Sequence, residues 1–199
     1  MKKVLLALLI IAVFLMSTNI VSAAPQSKIL IAYFSRIGNE YGVGNITKGN
    51  TAIIADIIAE ETGADLFEIK TVKSYPNDYK ECTKVASQEK AVKARPEIIG
   101  KVDNFKDYDI IFIGYPIWYG DMPMAVYTFL ESYDFSGKKI VPFCTHGGSG
   151  LSSTDQALTL ACPNSEILRG FEIRGSIAQN QTNEAKTKVL SWLKTITLN

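Results

Sequence analysis

The stretch "DYDIIFIGYPIW", Asp107 to Trp118, sets the fold. Ile110 to Ile113 are apolar without alternation, so a strand here has both faces covered, and Pro116 stops it. Strands of that kind lie inside parallel sheets flanked by helices. Working outward, "KILIAYF" (Lys28 to Phe34) has the same character, and "KKIVPFCT" (Lys138 to Thr145) reads as a strand made irregular by Pro142. "DLFEI" (Asp65 to Ile69) and "ILRGFEI" (Ile167 to Ile173) complete a set of five. Helical periodicity fills the gaps. "TAIIADIIAEETG" (Thr51 to Gly63) carries Ile53, Ile54, Ile57 and Ile58 and ends on a glycine suited to a left-handed cap. A polar helix is expected within Tyr75 to Ile98, closed by Pro96. Another spans Met122 to Ser132 with Pro123 near its first position, one falls within "SGLSSTDQALTLAC", and a last one covers Asn183 to Ile196. Strands alternating with helices through right-handed crossovers give an α/β fold, an open parallel sheet covered on both faces.

The chain has 199 residues, enough for one such domain, and a hydrophobic fraction of 47% excludes a disordered or fibrous chain. Residues 1–23 stand apart. Lys2 and Lys3 precede an apolar run from Val4 to Met16, and Val21-Ser22-Ala23 has the small-residue pattern of a cleavage site. The sequence thus predicts a secretory signal peptide cut after Ala23 and a secreted or otherwise extracytoplasmic domain over 24–199. The run is shorter than the roughly 18 to 20 residues a bilayer span needs, so no stable span is expected in the mature chain. Without Lys2 and Lys3 the 21 basic residues fall to 19 against 20 acidic ones, a net charge of −1. That balance gives no reason to expect nucleic acid or anionic membrane as a partner. Cys82, Cys144 and Cys162 leave open whether any two form a disulfide. With one histidine, His146, and no C-x-x-C or H-E-x-x-H spacing, no metal site is expected.

In an open sheet of this kind a ligand lies beyond the carboxyl ends of the strands, where three loops converge. The first, Ser35 to Asn50, is rich in Gly, Asn and Thr and leads into a helix N-terminus at Asn50-Thr51. Free amides and the helix dipole there favour a phosphate. The second, "PIWYGDMP", sets Pro116, Ile117, Trp118, Tyr119, Gly120 and Asp121 beside that space, with aromatic faces able to cover a planar ring. The third, "THGGSG", offers Thr145, His146, Gly147, Gly148, Ser149 and Gly150, a backbone that a flat ligand can approach closely. Phosphate at one end and a stacked heteroaromatic ring at the other describe a mononucleotide such as FMN.

The whole mature chain resembles the flavodoxin family, in particular flavodoxin-like proteins that carry a signal peptide. The resemblance rests on "ILIAYFS" followed by "GN" and then "GNT", on "YPIWYGDMP" and on "THGGSG". It implies a three-layer αβα sandwich around a five-stranded parallel sheet of order 2-1-3-4-5, with FMN at the switch between strands one and three. It further implies that Ser35, Arg36, Asn50 and Thr51 hold the phosphate, with Gly38 in the same cofactor loop. Pro116 to Gly120 would line one side of the isoalloxazine and Thr145 to Gly150 the other. Gly120-Asp121 resembles the family's Gly-Asp turn, whose peptide can reorient to bond flavin N5 in the one-electron-reduced state. The sequence departs from the family in its first loop: in place of a short S/T-x-T-G-x-T pattern, "RIGNEYGVGNITKGN" inserts several residues before Thr51. The implied activity is electron transfer to a redox partner protein or reduction of a small acceptor such as a quinone. The flavin carries the chemistry and no side chain is required as nucleophile or base, while carrier and reductase stay equally open.

Other readings compete. A non-catalytic module could hold flavin or another phosphorylated ligand on the same fold. "GVGNIT" (Gly42 to Thr47) imitates a dinucleotide fingerprint but lacks its third glycine. Ser149 beside His146 suggests a secreted esterase, yet "GGSGL" lacks the last glycine of G-x-S-x-G and no later histidine follows. Tyr75, Asp78 and Tyr79 read equally well as a cover for the site and as helix capping, and Cys144 is expected to be buried and inert.

Overall fold

The computed structural model describes residues 27–198, so the predicted leader over 1–23 lies outside them. Along the chain run β1 (Ile29–Tyr33), the short strands β2 (Gly38–Glu40) and β3 (Gly44–Ile46), α1 (Asn50–Thr62), β4 (Asp65–Glu68), α2 (Tyr79–Ala91) and β5 (Ile110–Pro116). There follow α3 (Met124–Glu131), β6 (Lys139–His146), α4 (Thr154–Ala161), β7 (Glu166–Ile167), β8 (Phe171–Arg174), α5 (Gly175–Asn180) and α6 (Thr182–Leu193). The sheet runs β4-β1-β5-β6-β7, with β8 also on β6 and every pairing parallel. β7 pairs with the start of β6 and β8 with its end, so together they are one interrupted fifth strand. The order is therefore the expected 2-1-3-4-5 of a flavodoxin-like α/β sandwich.

Pro142 explains the interruption. The amide of Lys139 donates to Asp109 across the β5 side, and the carbonyl of Ile140 accepts from Leu168 on the other. Alternation then points position 142 toward the fifth strand, where a proline has no N–H to give. The neighbour leaves the ladder at that point and rejoins it at Phe171. Gly170 fills the gap: a β-carbon there would stand 3.1 Å from the Pro142 ring.

One apolar cluster lies on each face of the sheet. α1, α5 and α6 supply Ile54, Ile58, Ala178, Val189 and Trp192 to one, packed on Ile31, Phe112 and Phe143. α3 and α4 supply Val126, Phe129 and Leu158 to the other, packed on Leu30, Ile111 and Tyr115. β5 is buried along both faces from Ile110 to Tyr115, as the unbroken apolar run requires. α1 ends where expected, at Gly63 with φ 68° and its N–H on the Ala59 carbonyl at 2.9 Å. α2 ends at Ala91, ahead of Pro96, because Lys93 turns the chain out at φ 50° and the Ala94 N–H closes on Glu89.

Candidate functional site

The carboxyl ends of β1, β5 and β6 open into a cleft of about 410 Å³, within the usual range for a small-ligand site. Its floor is the start of α1. Ser35, just beyond β1, accepts the Ala52 N–H on its hydroxyl at 3.1 Å. Gly49 precedes the helix in extended conformation, and a β-carbon there would overlap the Ser35 hydroxyl and the Arg36 carbonyl. The hydroxyls of Thr51 and Thr145 meet at 2.9 Å and tie the helix to β6. Between them Asn50 lines the cleft, and its Oδ1 is the one buried side-chain polar atom without a partner among the described residues.

The inserted first loop is an antiparallel hairpin, β2 against β3, that arches over this cleft. Arg36 clamps it. Its guanidinium donates to the carbonyls of Pro76, Asn77 and Asn39 at 2.7 to 3.1 Å and to the Glu40 carboxylate, so all five N–H groups are spent on protein. Gly38, with φ 102°, lets the hairpin backbone close on Asn77, and a β-carbon there would lie 2.8 Å from the Asn77 carbonyl. Both residues therefore build the wall. At the hairpin tip Tyr41 packs against Gly147 on one side and lies 6.2 Å from the Tyr79 ring on the other. Burial, opposed by Arg36, raises the Glu40 carboxyl above its ordinary range.

The second wall is a two-residue turn. Trp118 and Asp121 exchange backbone hydrogen bonds at 2.9 and 3.0 Å, with Tyr119 at φ 52° and Gly120 at φ 74° between them. Two consecutive positive φ values make a type I′ turn, which suits Gly120 and is unusual for Tyr119. Tyr119 is held by its hydroxyl on the Thr83 carbonyl at 3.0 Å and by its own carbonyl on Lys90 Nζ at 2.7 Å. The Gly120–Asp121 amide closes the turn. The N–H of that peptide is thus bonded to Trp118, and the carbonyl of the central Tyr119–Gly120 peptide is bonded to Lys90 Nζ. Asp121 faces away from the cleft, accepting from Met122 N–H and Tyr127 hydroxyl, each at 2.8 Å. Trp118 stands edge-on to Phe34 and Tyr75, at 5.4 and 5.0 Å.

The third wall is the end of β6 and Gly147 after it. Pro116, Ile117, Trp118, Tyr119, Thr145, His146 and Gly147 all line the cleft, with Arg36 and Asn50. Gly38, Gly120, Asp121, Gly148, Ser149 and Gly150 are outside that lining, and Ser35 and Thr51 support it from behind. His146 bonds Gly148 N–H at 2.9 Å through Nδ1 and Glu172 through Nε2. Neither nitrogen is directed at Ser149, which removes the basis for the esterase reading. Tyr79 lines the site, Tyr75 backs Trp118, and Asp78 caps α2 by accepting the Glu81 N–H at 2.9 Å. Glu40, Tyr41 and the α2 residues Cys82, Thr83 and Ala86 also line it and carried no sequence signal, because the hairpin and α2 meet only in the folded chain. Cys82, Cys144 and Cys162 are free and buried, and burial raises the Cys82 and Cys162 thiols to about 11.

The family model described as flavodoxin matches residues 28–193. No curated protein matches. Among solved structures the chain is similar to a provisionally designated flavoprotein of Bacteroides uniformis, at 31% identity and TM-score 0.67, covering 84% of this chain and 98% of that one. Another of that designation, from Bacteroides eggerthii, matches at 30% identity and TM-score 0.66 over 85% and 98%. A flavoprotein of Lactobacillus acidophilus in complex with FMN shares the fold at 21% identity and TM-score 0.59, over 78% and 97%.

Proposed function

The chain belongs to the flavodoxin family, and from that premise we propose that it binds FMN in the cleft and passes electrons to a small planar acceptor such as a quinone. The leader pattern over 1–23 supports work outside the cytoplasm. What carries the reading is the buried, unpartnered Oδ1 of Asn50 on the floor of a cleft walled by Trp118 and Gly147. A buried acceptor left unpaired costs about 1 to 3 kcal/mol, so it is better accounted for by a ligand than by the fold. With the amide turned toward the cleft, a ribityl hydroxyl would supply the missing donor. Rotation of the amide instead presents Nδ2 to a phosphate.

The residues fit the cofactor in parts. Gly49 lets the Ser35–Arg36 segment pack directly on the start of α1, and the first-turn amides of Asn50 and Thr51 are the donors a phosphate would use there. Trp118 and Tyr119 offer aromatic surface on one side, and the Gly147 backbone lies on the other. Bound FMN supplies the one- and two-electron chemistry. The protein holds it, excludes water with apolar walls and sets access. Arg36 holds the hairpin that covers this end, its guanidinium spent on Glu40 and on the Asn39, Pro76 and Asn77 carbonyls. Tyr41, crossing from the hairpin to Gly147, narrows the mouth, which favours a flat small molecule over a docked protein as acceptor.

Titrating FMN with the purified domain tests the first half: flavin fluorescence falls as the ring meets Trp118 and Tyr119, and unchanged fluorescence would contradict it. The second half is tested by mixing the dithionite-reduced, FMN-loaded domain with benzoquinone or with cytochrome c under anaerobic conditions. Return of flavin absorbance should be faster with benzoquinone, and a preference for the protein acceptor would favour a carrier.

A further inference from the structure

We propose that His146 and Glu172 form a tautomer lock that holds Gly148 and thereby fixes the Gly147 backbone against the cleft, and that Glu172 is a positioning residue for the flavin. The inference rests on the FMN reading above. It starts from one hydrogen bond. The Gly148 N–H donates to His146 Nδ1 at 2.9 Å, which requires a lone pair on that nitrogen. The imidazole is therefore neutral with its proton on Nε2, and Nε2–H donates to the Glu172 carboxylate on β8. The strand register makes the pairing structural: Cys144 lies beside Glu172 and His146 beside Arg174.

Gly148 needs such a hold. Its φ is 144°, a conformation that side-chain-bearing residues rarely adopt, and the chain around it has no regular structure to fix it. β8 holds these two glycines twice. Arg174 Nη1 donates to the Gly147 carbonyl at 3.2 Å, and Glu172 acts through the imidazole on the Gly148 amide. Tyr41 presses on Gly147 from the hairpin side. Gly147, next to the held Gly148, lines the cleft with His146, so a loop displaced at Gly148 displaces that wall.

An imidazole with its proton on Nδ1 cannot accept the Gly148 N–H, so the other tautomer releases the loop. The groups facing His146 are Glu172 and Arg174 from β8, Cys144 from β6 and Tyr41 from the hairpin. Burial raises the Cys144 thiol and keeps it neutral, which leaves Glu172 and Arg174 to set the local charge with opposite signs. Glu172 thus fixes the productive tautomer by accepting the Nε2–H.

The test is FMN affinity at neutral pH, read by fluorescence quenching, together with the imidazole tautomer, read by nitrogen-15 NMR. Native protein should show the Nε2–H tautomer. Glu172→Leu leaves Nε2–H without its acceptor, so it should mix the two tautomers and bind FMN about fivefold to tenfold more weakly, the worth of one hydrogen bond. Glu172→Gln restores an acceptor and should recover both readouts. His146→Asn places an acceptor where Nδ1 stood and should keep most of the affinity that His146→Leu loses. FMN bound equally tightly by native, His146→Leu and Glu172→Leu proteins overturns the lock alone. Failure of native protein to bind FMN overturns both the lock and the flavin reading.

Discussion

Gly49 has no room for a β-carbon, Asn50 has an oxygen without a partner, and Arg36 has no N–H left to give; these three neighbours of one helix end divide the work. Asn50→Ala should weaken FMN about tenfold while the apo protein keeps its melting temperature, because the lost oxygen bonds nothing in the protein. Arg36→Met should do the reverse in kind. Breaking a buried, fully bonded guanidinium should cost about 3 to 5 kcal/mol in urea unfolding. Glu40 gives the pH test at this scale. Its carboxyl is raised in the folded protein, chiefly by burial, so the folded state holds a proton more firmly than the unfolded one. The associated stability is present at acid pH and lost as the pH rises through the folded value. Glu40→Gln, which mimics the protonated form, should therefore be more stable than native protein at neutral pH, with the gap closing on acidification. A gap that widens in acid would refute the assignment. Sequence placed Arg36 beside a phosphate by family resemblance. It could not show that the partners of Arg36, Pro76 and Asn77, lie about forty residues further on.

At the scale of elements, β1 and β5 were legible because burial on both faces leaves no polar alternation, and α1 because its isoleucines repeat at helical spacing and Gly63 stops them. The hairpin was not legible. Strands of three residues are too short to show a period, and their pairing rests on Gly38, Gly42 and Gly44 at positive φ. The break in the fifth strand was half legible: Pro142 announced an irregularity, but which neighbour would absorb it depends on the register of β6. Two predictions belong here. Gly114 faces Phe143 across β5 and β6, and its β-carbon would fall inside that ring, so Gly114→Ala should cost about 1 to 3 kcal/mol in denaturant unfolding. Phe143→Leu in the same chain should recover part of it. Tyr41→Ala, at an exposed hairpin tip, should leave the melting temperature unchanged yet make bound flavin more open to iodide quenching. Equal quenching in both proteins would remove the hairpin from any role as a roof.

For the whole molecule, the sequence supplied the alternation of strands and helices, and the parallel order followed from connection rules and family resemblance. What it lacked was the distance between the three loops, which decides whether they enclose a ligand. The three buried cysteines give an independent check on the packing: a native thiol assay should find almost nothing, and the unfolded chain should show all three. Rapid labelling of native protein would mean that the core is looser than the sheet and its two apolar faces imply. Among the described residues no helix is long and apolar enough to cross a membrane. If the leader over 1–23 is removed on export, the mature protein should begin at Ala24 by mass spectrometry, and an intact N-terminus in the exported protein would refute that processing. The central claim is that the cleft between Asn50, Trp118 and Gly147 takes FMN, phosphate inward at the start of α1. A crystal structure of the protein grown with FMN tests it most directly. The account predicts phosphate oxygens within hydrogen-bonding distance of the Asn50–Thr51 amides and the isoalloxazine between Trp118 and Gly147; an empty cleft, or flavin bound elsewhere, would contradict it.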